Sequence, residues 1–142
     1  MSAASDYLEN KLLDHVLKFG NGSLTVGSGA GYAPPATVYV ALFTASTGLE
    51  TNSPSAEIST SGTAYGRTAI TFATASGGSS ASNATVTFSA ATANWGTISH
   101  VAIMDASTAG NVLFYGAVTT SKTIETGDTF QISSGNLTIS LA

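Results

Sequence analysis

The sequence predicts a mainly β fold: an antiparallel β-sandwich, jelly-roll or Ig-like, with one N-terminal amphipathic helix. Three observations point there. Seven or eight short runs rich in β-branched and aromatic residues follow residue 36, separated by Gly, Ser, Asn or Asp. Only residues 5–19 repeat their apolar side chains at helical spacing. Residues 94–118, NWGTISHVAIMDASTAGNVLFYGAV, read as two strands joined by a polar turn, a hairpin around which the other runs can pair.

The helix comes first. In SDYLENKLLDHVLKF, Leu8, Leu12, Val16 and Phe19 fall on one stripe, widened by Leu13 and Leu17. Ser5 or Asp6 can cap the first turn, Asp6 and Glu9 complement the positive end of the helix dipole, and Gly20 follows Lys18 at the other end. Asp6, Glu9, Lys11, Asp14 and Lys18 make a solvated face, so the stripe needs an apolar groove, on the chain's own sheet or on a neighbouring subunit. Residues 20–36, GNGSLTVGSGAGYAPPA, read as a glycine-rich connector that stiffens at Pro34-Pro35. The chain thus divides into an arm, residues 1–36, and a β-sandwich domain, residues 37–142.

Thr37–Phe43 alternates Val38, Val40 and Leu42 with Tyr39, Ala41 and Phe43, a strand buried on one face and aromatic on the other. Residues 44–63 form a long loop, with a short pairing near Glu57-Ile58. Tyr65–Phe72 is a strand with Tyr65 or Arg67 outward, and residues 76–83, SGGSSASN, are a low-complexity turn. Ala84–Phe88 is a further strand, and Trp95 beside Gly96 plugs one end of the core. Within the hairpin, Ile98–Asp105 alternates poorly, which predicts a bulge or cover on both faces, whereas Asn111–Val118 is apolar almost throughout and suits a central strand. Trp95, Val112 and Phe114 are core candidates. Ser121–Ile124, Thr129–Ile132 and Leu137–Leu141 complete the strands.

Composition narrows the function. Charged residues make up 8% of the chain, far below the roughly 25% usual in soluble domains, so the surface is largely hydroxyl and methyl. Such a surface loses little side-chain entropy on contact and suits an assembly. A net charge of −4 with only four Lys and Arg argues against nucleic acid, and no run is long enough to cross a membrane as a helix. Without Cys there is neither a disulfide nor a thiolate metal site. His15 and His100 lack metal-ligand spacing, Glu125, Asp128 and Asp105 are scattered, and Gly27–Gly31 neither follows a strand nor precedes a Lys. No cofactor, no metal and no enzymatic activity are therefore expected; a triad of His100, Asp105 and a nearby Ser is the one enzymatic alternative. Arg67, the sole arginine, either braces a loop or forks onto a partner subunit, and Tyr32, Tyr39 and Tyr65 join it as candidate interface residues.

Four blocks occur in order: SDYLENKLLDHVL, YAPPATVYVALFT, GTAYGRTAITF and TANWGTISHVAIMDASTAGNVLFYGAVTTSKTIETGDTFQI. Together they resemble a family of small tailed-phage virion proteins often labelled phage tail fibre proteins. The resemblance runs from about residue 5 to the C-terminus and departs at the glycine-rich Asn21–Gly31, longer than the family pattern. It implies a virion structural protein, made in the host cytoplasm. A fibre shaft needs repeats or heptads, which this sequence lacks. The expectation is thus a homo-oligomeric capsid decoration (cement) protein bound to the major capsid protein or other virion proteins, with Leu8, Leu12, Val16 and Phe19 as the docking face of the arm. The alternative is a tail fibre or tail-tip associated protein contacting the host surface through residues 44–63 and exposed tyrosines.

Overall fold

The computed structural model describes residues 6–17 and 34–141, side chains from residue 12 onward. These form α1 (Asp6–Leu17), β1 (Val38–Phe43), β2 (Thr68–Ile70), β3 (Ser79–Ala81), β4 (Val86–Thr87), β5 (Gly96–Met104), β6 (Val112–Ile124), β7 (Gln131–Ile132) and β8 (Thr138–Ser140). Every pairing is antiparallel. One sheet has the order β2-β1-β5-β6, and two ladders, β3-β8 and β4-β7, make up the second layer. The result is the mainly β, sandwich-like architecture expected.

The hairpin of β5 and β6 forms as read, but the roles of its halves are exchanged. β5 is the central strand, pairing Leu42 with Val101 and Val40 with Ile103 on one side and Ile103 with Phe114 on the other, while β6 is an edge. Poor alternation in β5 has a physical cause: Ile98, Ala102, Ile103 and Met104 are all buried because both faces of the sheet are covered. The apolar run of β6 includes Gly116 and is at best half-buried along residues 112–118, with Tyr115 44% exposed. Val112 and Phe114, expected in the core, are half-buried for the same reason. The expected bulge is present, with register shifts between Ile98 and His100 and between Ile103 and Met104.

β1 is likewise covered on both sides. Val38, Val40 and Leu42 join Ile98, Ile103, Ile124, Val86, Phe88, Phe130 and Leu137 in the main apolar cluster between the layers. Ala41 and Phe43 face the other way and form a smaller cluster with Leu49, Ala102 and Met104. Leu49 belongs to the 44–56 loop, which therefore lies over the outer face of the sheet. Gly48 lets that loop turn back: at φ +77° it sits where a Cβ would be 1.9 Å from the Ser53 carbonyl oxygen.

Two strands differ from the reading. Residues 79–81, read as part of a low-complexity turn, are β3, and residues 121–124, read as a separate strand, continue β6. Serine is a weak strand former, and here burial with its hydroxyls paired decides the matter. Ser80 Oγ donates to the Ala73 carbonyl at 2.6 Å, and Ser82 Oγ accepts from the amides of Gly135 (3.1 Å) and Leu137 (3.4 Å).

α1 is seated on its own chain. Leu13 and Leu17 are buried in the main cluster, and Asp14 accepts a 2.9 Å hydrogen bond from the Ala75 amide. The buried line is thus centred on Leu13 and Leu17, which the sequence put at the margin of the stripe; Leu12 and Val16 are half-buried. The boundary drawn at residue 36 separates an arm whose described part shares a core with the strands. Leu13→Ala is expected to cost about 2–4 kcal/mol of stability, read as a lower Tm. An unchanged Tm would show that the helix does not hold this seat.

Candidate functional surface

Arg67 sits just before β2, close to the turn between β5 and β6. Its guanidinium forks onto Glu57, with Nε to Oε1 at 2.8 Å and Nη2 to Oε2 at 2.7 Å, and Nη1 donates to the Ala106 carbonyl at 3.0 Å and also to that of Ala109. The hydrogen bond to Glu57 pushes the Arg67 pKa further up. Tyr65 completes the group: its hydroxyl donates to Glu57 Oε1 at 2.9 Å and accepts from the Leu42 amide at 3.0 Å. Its ring lies in an aromatic cluster, edge-on to Trp95 at 5.5 Å and stacked with Phe88 at 6.1 Å. Trp95 Nε1 donates to the Thr63 carbonyl at 2.9 Å.

A second polar group laces the 44–56 loop to the hairpin. Asp105 accepts from the Asn111 amide (2.6 Å) and from Asn111 Nδ2 (2.7 Å), closing the turn. Asn52 reaches the same turn, donating to Asn111 Oδ1 and accepting from the Val112 amide, both at 2.7 Å. Tyr115 donates to Glu50. The contacts of Asn52 and Glu50 span 59 to 65 residues of sequence, and no local pattern announces them.

The enzymatic alternative can be followed atom by atom. Ser99 Oγ lies 2.7 Å from the Thr44 carbonyl, to which it can only donate, and 2.8 Å from His100 Nδ1, which must then donate to it. A serine activated by histidine needs the opposite arrangement. Asp105 is bonded to Asn111 and braces the turn. Glu125 and Asp128 share a different turn, in which Asp128 accepts from the Glu125 amide at 3.0 Å.

The other notable surface is the outer edge of β6. Beside it a half-open groove of about 240 Å³ runs between the strand and the second layer, lined by Val101, Ile103, Phe114, Phe130, Ile132 and Leu137 among others. Among the described residues, the backbone of 113–123 is hydrogen-bonded only through the β5 pairing.

Of the candidate interface residues, Tyr39 is half-buried in β1, Tyr65 is 5% exposed, and the Arg67 side chain is 7% exposed. Tyr65 does not face outward, and Arg67 takes the loop-bracing place. Trp95 is in the core, at 5% exposure. Tyr32, Phe19, the Leu8 side chain and Gly27–Gly31 lie outside the described residues. Glu57, Asn52, Asn111, Glu50 and Tyr115 were not singled out by sequence. The Asn and Asp at the ends of the hairpin turn were the available signal for Asn111 and Asp105.

Two outcomes follow from the Tyr65 and Arg67 geometry. Burial pushes the Tyr65 pKa well above the ordinary value of 10.0. From about pH 10 upward the unfolded chain releases this proton while the folded chain keeps it, so stability falls as pH rises. Tyr65→Phe should flatten part of that alkaline fall in denaturation midpoints, and at neutral pH should cost about 1–3 kcal/mol because the Leu42 amide loses its acceptor. Arg67→Ala should cost about 3 kcal/mol by leaving Glu57 without its counter-charge. Combined with Glu57→Ala it should cost less than the sum of the two single changes, and additive losses in urea melts would mean that the pair is not coupled.

A family model described as Podophage GP4 fiber I protein gp80 matches residues 3–140. None of the curated proteins matches the chain. The match covers the helix, both layers and the polar groups just described, and it is of the kind that the four sequence blocks resemble. The chain therefore belongs to the family of the podophage GP4 fiber I protein gp80 and is a phage virion structural protein of that family.

Proposed function

We propose that the chain is a fibre-associated structural module of a podophage tail, acting by contact with other virion proteins and not by catalysis. The observation that carries this reading is the extent of the family match, which takes in the whole β body and not one terminal segment. The surface supports it. With charged residues at 8% of the chain, exposed Ser, Thr and Ala offer contact area with little side-chain entropy to lose. The Ser99 hydroxyl, committed to a backbone carbonyl, supports a role without covalent chemistry.

A second reading, capsid decoration, is favoured by a different observation. The described residues form two β layers with a helix seated on them, and the sequence has neither heptads nor an internal repeat from which a shaft could be built. Copies bound only to the assembled shell would stabilise it by mass action. Immunogold labelling and quantitative mass spectrometry of purified virions separate the two. Copies confined to the tail are expected; label spread over the head would overturn the fibre assignment in favour of decoration.

A further inference from the structure

We draw no further inference here: the strongest candidate, the apolar groove of about 240 Å³ between the outer edge of β6 and the second layer, carries nothing because nothing in the structure shows what covers it.

Discussion

Glu57 and Arg67 meet where three distant segments come together: the end of the long loop after β1, the entry to β2, and the turn of the central hairpin. Placing a carboxylate and a guanidinium there, with side-chain exposures of 23% and 7%, is costly unless their hydrogen-bonding capacity is filled. It is filled. The fork satisfies both carboxylate oxygens, the remaining guanidinium nitrogen holds the carbonyls of Ala106 and Ala109, and Tyr65 links the carboxylate to the amide of Leu42. The turn that launches β6 is thereby tied to β1 across β5. A lysine could not replace the arginine, because a point charge cannot serve a carboxylate and two carbonyls in one plane.

That tie also explains how a sheet of four strands can be covered on both faces in a chain of 142 residues. One face is closed by the ladders and by Leu13 and Leu17 of α1, the other by a loop whose only large apolar contribution is Leu49. A loop with so small an apolar anchor needs polar fastenings. Asn52, Asn111, Asp105, Glu50 and Tyr115 supply them at the hairpin end, and Gly48 permits the tight return that aims Asn52 at the turn.

What the sequence revealed, and what it hid, follows from the range of each interaction. The helix, the hairpin and β1 were legible because periodicity and turn residues are local. The bulge in β5 was legible for the same reason, as a break in alternation. The exchange of centre and edge was not, because a strand buried on two faces and one beside an apolar groove can carry similar runs; only the placement of β1 and of the 44–56 loop distinguishes them. β3 was hidden because Ser80 within it and Ser82 just after it are fastened by partners distant from the turn pattern, at Ala73, Gly135 and Leu137. Tyr65 was misplaced because alternation assigns a tyrosine to a face but cannot know that a carboxylate and a backbone amide await its hydroxyl inside. The polar surface was illegible almost throughout, since apart from Asp105 with Asn111 its pairs lie eight to 65 residues apart.

A surface with this composition restricts how the protein can hold a partner. Four cations in the whole chain, with Arg67 already committed, leave little scope for ion-pair networks. Serines and threonines contribute hydrogen bonds that are worth little net of the water they displace. Outward-facing backbone is different: its donors and acceptors are fixed in a row, so pairing them costs no side-chain entropy and gains strength with length. Among the described residues only β6 offers such a row beyond a few residues, and it does so next to an apolar groove and an exposed tyrosine. A chain that relies so little on charge must therefore place its specificity in shape and register.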